Sequence, residues 1–320
     1  MSADSSLAAP PPSPALAATE PTRLLGAAAA LATVLLWAAG LVATRFGVTG
    51  ALSLWDVVFL RLALPALLLV PVLLRFVKAP GGRPGDDRRL FWFIILMAGA
   101  GLPFMLISST GMKFAPAAHA GALMPGSMPL FAALLAVLLL GERFSLQRRF
   151  GTALMLLGAL AVGGWQVIEG TGDTWRGDLM FVCCGALWAC YTIALKKTGL
   201  GAWQAAALVY ISAFVLYVPV YLLWLDSHLM QAPAFDIGGQ LVQSVASGLL
   251  SMAAYGFAVR RLGPAPAAAF AALTPALTAL LAVPLLGEWP EPVTWAGIVA
   301  VSLGVALANG AFNRYTVSNR

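Results

Sequence analysis

An arginine and a histidine lie within long apolar stretches of this sequence, at Arg61 and His119. An arginine inside an apolar membrane helix is costly unless it faces protein or water, so Arg61 is a candidate to contact an anionic group of a small molecule. The alternative is that its side chain packs between helices or extends to the membrane surface. His119 could relay a proton or bind a carboxylate, and its alternative is a hydrogen bond within the helix packing.

Aromatic side chains form a second set of candidates, because Trp37 and Trp188 each stand at the centre of the same tripeptide, Leu-Trp-Ala. On a helix Tyr191 follows Trp188 by about one turn, and Tyr255 lies in a later apolar stretch. Aromatic rings offer flat apolar faces, and a phenol hydroxyl can bind a polar head group. We expect these four side chains to line a substrate cavity together with the arginine and the histidine. The alternative is that the rings only pack between helices.

Prolines and a glycine within the apolar stretches bear on movement. Pro125, Gly126 and Pro129 fall near the middle of one stretch, and Pro275 takes the place of Pro129 in a later one. Each proline removes a backbone donor and frees a carbonyl, which membrane proteins tolerate where a neighbouring helix or a cavity satisfies that group. The sequence therefore predicts hinge or gating positions, with a break at Pro125-Gly126 and an unbroken counterpart at Ala271-Ala272. A simple packing kink is the alternative.

Composition places these stretches in a membrane. Apolar residues make up 60% of the chain and charged residues 10%, and the mean hydropathy is +0.87, whereas soluble proteins average about a quarter charged residues. A helix needs about 20 residues to cross the hydrocarbon layer. We therefore predict an all-α integral membrane protein with ten transmembrane helices, at residues 24–44, 54–76, 90–111, 115–141, 150–168, 179–195, 202–225, 237–259, 262–287 and 293–313.

The distribution of basic residues predicts the orientation of these helices. If the N-terminus is inside, fifteen of the nineteen basic residues fall in inside segments, and such a bias marks the cytoplasmic side. Both termini are then cytoplasmic, and the net charge of +6 needs no nucleic acid to explain it. The remaining four basic residues are Arg61 within the second span and three in outside segments, Arg45, Lys113 and Arg176.

The first 22 residues contain five prolines among alanines and serines, a composition that cannot build an apolar helix face. We interpret residues 1–22 as a disordered cytoplasmic tail and residues 314–320 as a second, C-terminal one. A secretory signal is the alternative for the N-terminus, since an apolar stretch follows a polar leader. The first span, however, has a matching partner in the second half, as a span of the mature fold would.

The chain repeats itself at an offset of 146 residues. Residues 129–142 read PLFAALLAVLLLGE and residues 275–288 read PALTALLAVPLLGE, so ten of fourteen positions are identical. Because an odd number of crossings separates the copies, they must have opposite orientations, and inverted repeats are typical of secondary transporters. We predict two five-helix units, at 23–170 and 171–313.

Smaller features repeat as well. Glu142 and Glu288 end the two copies, and we expect them to stabilise helix packing by pairing with basic or amide groups. Two glycines seven residues apart in each unit share one helix face, where helices can approach closely; these are Gly151 with Gly158 and Gly297 with Gly304.

These residues resemble the EamA domains of the drug/metabolite transporter superfamily. The resemblance rests on the aromatic first span around Trp37, on the sequence Phe-Leu-Arg-Leu-Ala at 59–63, and on the paired Leu-Gly-Glu blocks followed by Gly151 and Gly297. It runs from about residue 24 to 312. It implies a ten-helix inverted-repeat exporter of the bacterial inner membrane, with a central cavity lined by the first four helices of each half. The fifth and tenth helices then lie at the periphery, where they can support a homodimer.

The function that follows is a secondary transporter that exports small metabolites, such as amino acids or related amphipathic compounds, across the inner membrane by alternating access. Its partners are the metabolite substrate and the lipid bilayer, and we expect no cofactor and no metal. A membrane-embedded enzyme acting on lipid is one alternative, but it would need convergent acid, base or metal groups, and the chain has only two histidines and no phosphate-binding loop. A non-transporting membrane scaffold is the other.

Overall fold

The computed structural model describes residues 20–78, 87–140, 145–169 and 172–308, and within these ranges the regular structure is helical. Gly101 separates α3 from α4, a π-helical turn at Ala246–Leu250 joins α9 to α10, and a 3₁₀ turn at Phe270–Leu273 joins α11 to α12. The thirteen α-helices are α1 (Glu20–Thr49), α2 (Leu54–Lys78), α3 (Asp87–Ala100), α4 (Leu102–Phe114), α5 (Ala117–Leu140), α6 (Leu146–Glu169), α7 (Thr174–Thr198), α8 (Ala202–Trp224), α9 (Ala234–Val245), α10 (Ser251–Leu262), α11 (Pro264–Ala269), α12 (Thr274–Leu286) and α13 (Pro292–Ala308).

Many of these helices are long and apolar enough to cross a membrane, which agrees with the all-helical membrane fold that the composition predicts. By length and composition, seven helical stretches of the described ranges meet this condition, and α13 is a shorter apolar helix. The seven stretches are Thr22–Thr49, Leu54–Arg75, Leu90–Phe114, Thr174–Thr198, Ala202–Trp224, Ala234–Leu262 and Pro266–Leu286.

The chain ends differ from the sequence-based expectation in one respect. Helix α1 begins at Glu20, so residues 20–22, which we expected in the N-terminal tail, are helical. Residues 20–22 directly precede the apolar part of the helix. Adding a turn to a helix that is already formed costs little free energy, so the helix extends to include them. Residues 1–19 and 309–320 lie outside the described ranges, as do Gly170 and Thr171 of the predicted link.

The third and eighth predicted spans are interrupted near their middles. At Gly101, where α3 meets α4, the backbone leaves the helical region with φ −93° and ψ −136°, and a Cβ atom there would collide with the carbonyl of Met97. The π-helical turn at Ala246–Leu250 interrupts the eighth span. Helices interrupted near the membrane centre recur in transporters, because the backbone groups that they free can face a polar cavity.

We expected the fourth span to be broken and the ninth to be unbroken, and the structure shows the opposite. Helix α5 continues through Pro125, Gly126 and Pro129, so the predicted break is wrong. The counterpart at Ala271-Ala272, which we expected to be unbroken, lies in the 3₁₀ turn. Pro275 has no N–H to bond the carbonyl four residues before it, and a turn that tightens there offers that carbonyl another donor.

Helix packing is preserved when the two halves are exchanged. Helix α1 packs against α10, and its counterpart α7 packs against α3 and α4. In the same way α5 packs against α7, and α12 packs against α1. The largest remaining contacts are between counterparts, with α2 on α8, α6 on α13 and α5 on α12.

Glycines at equivalent positions of the two halves make equivalent close helix contacts. A Cβ atom on Gly177 would stand 2.7 Å from the carbonyl oxygen of Gly111, so α7 meets the end of α4 backbone to backbone. At the equivalent joint a Cβ on Gly26 would stand 2.8 Å from the Cβ of Arg261, where α1 meets the end of α10.

The crossing of α6 and α13 confirms the predicted role of its glycines. A Cβ atom on Gly158 would stand 2.7 Å from the carbonyl oxygen of Gly297, and one on Gly151 would stand 2.8 Å from that of Gly304. Real Cβ atoms do not come so close to carbonyl oxygens, and the absence of side chains lets the two backbones touch. The fifth and tenth predicted spans therefore pack on each other along their length.

The connections that follow α1, α4, α8 and α12 lie at one end of the bundle, which we call the outer end because the N-inside prediction places it outside. There the Arg45 Nε atom donates to Glu288 Oε1 at 2.6 Å, and Arg45 also donates to the carbonyl of Met112. Glu288 Oε2 accepts from the backbone N–H of Ala117 at 2.9 Å. One carboxylate thus links α1, the start of α5 and the segment after α12, as expected for Glu288; Glu142 lies outside the described residues.

Candidate functional site

Arg61 lies where four helices meet. Its Nη1 atom on α2 is 3.4 Å from Ser109 Oγ on α4, a long hydrogen bond. The Tyr210 hydroxyl on α8 and the Cys184 thiol on α7 are its electrostatic neighbours. A guanidinium carries five N–H donors, and the Ser109 contact engages one of them. The arrangement can present the others to a carboxylate.

Trp188 belongs to an aromatic group between α4 and α7. Its ring centroid is 5.5 Å from that of Phe104 and 5.1 Å from that of Tyr191, both with tilted planes. Gly99 of α3 lies against the backbone of α7, because a Cβ there would be 2.6 Å from the Leu187 carbonyl oxygen. This close approach fixes the part of α7 that carries both predicted aromatic residues.

Trp37 belongs to a second aromatic group between α1 and α10. Its Nε1 atom donates to Ser251 Oγ at 3.1 Å, and its ring centroid is 5.8 Å from that of Tyr255. The two tryptophans therefore occupy equivalent places, each packed on the interrupted span of the opposite half. Each ring contacts its own group, so the expectation that they face each other across one cavity stays a prediction.

His119 is buried between α5 and α7, with 2% of its surface exposed. Its Nδ1 atom is 2.8 Å from Oδ1 of Asp178, which is 5% exposed. Sequence reasoning missed Asp178 because it began the sixth span at residue 179, whereas α7 begins at Thr174. A carboxylate just before the apolar stretch of the sixth span, at the same end of the bundle as the histidine early in the fourth span, was the signal that could have found it.

The four predicted hinge residues lie in the packing of α5 and α12. Pro125 and Pro129 are half-buried on α5, and Pro275 is buried on α12. A Cβ atom on Gly126 would stand 2.8 Å from Val301 Cγ1, so this glycine faces α13. Their role as hinge or gating positions stays a prediction.

An aromatic cluster fills the space between α2 and α8 on the outer side of Arg61. Phe59 stacks on Tyr221 with ring centroids 4.6 Å apart and lies 6.0 Å from Phe214. Tyr217 lies 5.8 Å from Tyr221, and its hydroxyl donates to the carbonyl of Trp55 at 3.0 Å. We call Phe59, Phe214, Tyr217 and Tyr221 the outer aromatic cluster.

The buried carboxylate of Asp56 anchors this cluster. It accepts hydrogen bonds from the Tyr221 hydroxyl at 2.5 Å, from the Ser227 hydroxyl at 2.9 Å and from the His228 backbone at 2.9 Å. The backbone and hydroxyl of Ser53 donate to it as well, at 3.0 Å and 2.8 Å. Sequence reasoning did not single out this residue, although the spacing of Ser53 and Asp56 is that of a capping box at a helix start.

Two surface cavities are lined by other residues than the six predicted substrate contacts. A groove of about 500 Å³ between α1 and α9 is almost wholly apolar, with Gln243 at its base. A pocket of about 400 Å³ at the outer end carries charged groups. Its lining includes Lys113, Asp226, His228 and Trp55.

Similarity to known proteins agrees with this architecture. A probable terminal-alkyne amino-acid exporter of Streptantibioticus cattleyicolor is 26% identical over 281 residues, which cover 87% of this chain and 91% of that protein. A chain of known crystal structure, 17% identical, superposes with a TM-score of 0.59 over 90% of this chain and 96% of its own length, which shows a shared fold. The model of the EamA-like transporter family matches twice, at residues 24–164 and 175–310. The chain therefore belongs to the EamA-like transporter family and is a multi-pass membrane protein.

Proposed function

We propose that this protein is a secondary transporter of the inner membrane that exports small amphipathic metabolites, most simply amino acids, by alternating access. The observation that carries the proposal is the helix packing, which is preserved when the two halves are exchanged and which surrounds Arg61. A fold built from two equivalent halves can close either end with equivalent contacts, which is what alternating access needs.

The proposed topology has ten crossings in two inverted units. It adds α5, α6 and α13 to the seven long stretches, since α5 and α6 have 24 residues each and α13 is apolar. Two family matches of similar length support a duplicated unit. The positive-inside bias supports cytoplasmic termini. A homodimer formed through the peripheral helices stays a prediction.

The proposed substrate class follows from chemistry near the membrane centre. The Arg61 guanidinium suits the carboxylate of an amino acid, because its planar fork can bond both oxygens. The aromatic groups of Trp37 and Trp188 offer faces for an ammonium group and for an apolar side chain. The name of the Streptantibioticus relative points the same way and suggests an amino acid with a terminal alkyne as a first probe.

The conformation supports a state that is closed toward the outside. The outer aromatic cluster fills the space between α2 and α8 on the outer side of Arg61, and Asp56 ties it to two connecting segments. A substrate at Arg61 would need these contacts to separate before it left outward. We infer that they form the outer gate.

Exchange in proteoliposomes tests this function. Vesicles loaded with unlabelled L-propargylglycine, an alkyne amino acid, should take up the radiolabelled compound from outside without nucleotide. L-Norvaline, its saturated analogue, tests whether the alkyne matters. Unlabelled n-butylamine and pentanoate, added outside as competitors of the labelled amino acid, test the need for both charges. We expect exchange of the two amino acids and little competition by the amine or the acid.

Variants locate the site within this assay. Arg61→Lys should lower exchange about tenfold, since a bidentate contact is lost while the charge remains. Trp37→Ala and Trp188→Ala should raise the half-saturating concentration severalfold. Arg176→Lys is the matched control, because this arginine is exposed at the outer end and pairs locally with Asp173. Unchanged exchange in the Arg61, Trp37 and Trp188 variants would show that these side chains only pack.

The same experiment separates the other classes of function. A scaffold protein would insert and exchange none of a wide panel of amino acids and amphipathic metabolites. A lipid enzyme would change the phospholipids of the vesicle, which thin-layer chromatography detects. Either result would overturn the proposal.

A further inference from the structure

The contact between His119 and Asp178 is a titratable pair buried in the outer half of the bundle. Their side chains are 3% and 8% exposed, and Nδ1 and Oδ1 are 2.8 Å apart. The second carboxylate oxygen, Oδ2, is buried with no hydrogen-bond partner among the described residues. The pair is therefore only half satisfied, which is costly if it serves packing alone.

The backbone of α6 closes one side of the pair. A Cβ atom on Gly163 would stand 3.2 Å from Asp178 Oδ2, so this helix approaches the unpartnered oxygen closely. A carboxylate in such a place is unfavourable, and a proton on the pair removes the net charge. The geometry gives a reason for the pair to bind a proton, and Oδ2 is an atom that can receive one.

The pair lies closer to one side of the membrane than to the other. Asp178 lies four residues after the start of α7, about 6 Å along the helix from its outer end. The equivalent joint at the inner end, between α11 and α1, carries Ala265 and Ala27 at the matching positions. Of these two equivalent joints, the one at the outer end alone carries a pair that can bind a proton.

The pair also joins the two halves. His119 belongs to α5 of the first half and Asp178 to α7 of the second, and the large contact between these helices must change if the outer end opens. The other charged groups on the surrounding helices lie at helix ends, and some of them form ion pairs with each other. Two of them are paired elsewhere, Arg45 with Glu288 and Arg176 with Asp173. Lys113 is exposed at the end of α4, and the charged residues of α3 lie at the inner start of that helix. Glu169 is the last residue of α6, and Glu291 directly precedes α13.

We propose that His119 and Asp178 form the proton-binding site that couples export to the proton gradient. This inference rests on the proposed function. With one proton shared between imidazole and carboxylate the pair is neutral, and it stays buried while the outer end is closed. When the inner end is open, water that reaches the pair through the central cavity takes up that proton. This leaves a net negative pair, which favours hydration and an open outer end. A proton from outside then binds to the pair, and the outer end closes again.

Histidine NMR tests the proton site without any substrate. The chain has two histidines, so the purified protein labelled with ¹⁵N-histidine gives two sets of ring signals, which His228→Gln assigns. We expect the His119 ring signals to move with pH in the wild type and to follow a different curve in Asp178→Asn. Ring signals of His119 that stay constant from about pH 5 to 8 would overturn the proposal.

A pH gradient tests the coupling. Vesicles with an interior near pH 6 and an exterior near pH 8, with the potential clamped by valinomycin and potassium, should accumulate labelled L-propargylglycine in the wild type. One-to-one exchange allows up to about tenfold accumulation per pH unit. Asp178→Asn and His119→Gln should lose this accumulation and keep exchange at equal pH. Asp178→Glu should retain part of it.

The controls separate the failure of this inference from that of the proposed function. His228→Gln and Asp173→Asn remove exposed groups of the same types and should leave accumulation unchanged. A wild type that exchanges the probe but does not accumulate it would refute proton coupling and leave the transporter standing. Accumulation by Asp178→Asn equal to the wild type would also refute it. Should no compound exchange at all, the transporter proposal fails, and the histidine spectra alone decide whether the pair binds a proton.

Discussion

At the outer end of the bundle, charged and polar side chains tie separate helices together, whereas small residues make several close helix contacts at the inner end. Outside, Asp56 gathers donors from three segments, and Glu288 links α1 to the start of α5. Inside, Gly26 lies against α10, and the buried positions at the start of α8 are alanines. Within the described ranges of the inner end, the amide of Gln147 reaches the Leu307 carbonyl at 3.4 Å.

In the proposed transport cycle, the outer contacts must break when the outer end opens. Ser227 and His228, which donate to the buried Asp56 carboxylate, are themselves exposed, so on opening their hydrogen bonds can be exchanged for bonds to water. The sequence repeat gives the two ends similar backbone packing, and Asp56 and Glu288 add polar links at the outer end. If the protein works by alternating access as proposed, these links stabilise the state in which the outer end is closed.

The largest expected effect comes from removing the Asp56 carboxylate. Asp56→Ala leaves the Ser53 and His228 backbone N–H groups and the Tyr221 hydroxyl without their acceptor, which should cost about 3 kcal/mol. The thermal unfolding midpoint in detergent should fall by about 6 °C. The outer end should also open more often.

Thiol labelling measures that opening. In a background without the native cysteines, Ser109→Cys should react severalfold faster with an impermeant reagent added from outside when Asp56 is also alanine. Asp226→Ala is the control, because its side chain is exposed on the neighbouring loop. Equal labelling rates with and without Asp56 would show that the network does not hold the outer end closed.

The second effect compares one glycine at each end. A methyl group on Gly177 would meet the Ala115 Cβ at 2.6 Å and the Gly111 carbonyl oxygen at 2.7 Å, so backbones must shift. One on Gly26 would meet the Arg261 Cβ and the Leu262 Cγ at 2.8 Å, so this joint must also open, by a smaller amount and without a clash against a backbone oxygen. We expect Gly177→Ala to cost about 2 kcal/mol and Gly26→Ala to cost less.

Thermal unfolding of the two variants in the same detergent checks this comparison. Each substitution also gains about 1 kcal/mol of helix propensity, and this gain cancels between them. A larger loss for Gly26→Ala than for Gly177→Ala would contradict the view that the outer joint is the more tightly packed one.

The sequence predicted much of the packing but less of the continuity of the helices. The seven-residue glycine spacing predicted the close crossing of α6 and α13, because a missing side chain has the same consequence wherever two helices cross. Prolines were a poor guide. Helix α5 continues through Pro125 and Pro129, whereas the chain tightens just before Pro275, since tertiary contacts decide whether a freed carbonyl disrupts a helix.

The candidate site shows the same limit. Arg61 was predictable because an arginine within an apolar span is unusual by itself, and it does lie at a junction of helices. The pairing of His119 with Asp178 was not, since it depends on where α7 begins and on which face of α5 meets it. A helix boundary predicted from sequence can be wrong by a few residues. An error of that size changes whether a carboxylate at the end of a span is expected in water or buried between helices.

The smallest expected effect concerns the ion pair of Arg45 and Glu288, whose side chains are 17% and 19% exposed. Water still reaches part of this pair, so we expect a coupling energy of about 1 kcal/mol from the variants Arg45→Gln, Glu288→Gln and the double variant. Glutamine at 288 keeps an oxygen that can accept from the Ala117 N–H, so Glu288→Gln should cost less than Glu288→Ala. Raising the salt concentration should reduce the coupling but leave the Ala117 contribution unchanged. A coupling energy near zero at low salt would mean that Glu288 acts at the outer end through the start of α5 alone, and that Asp56 accounts for most of the difference between the two ends.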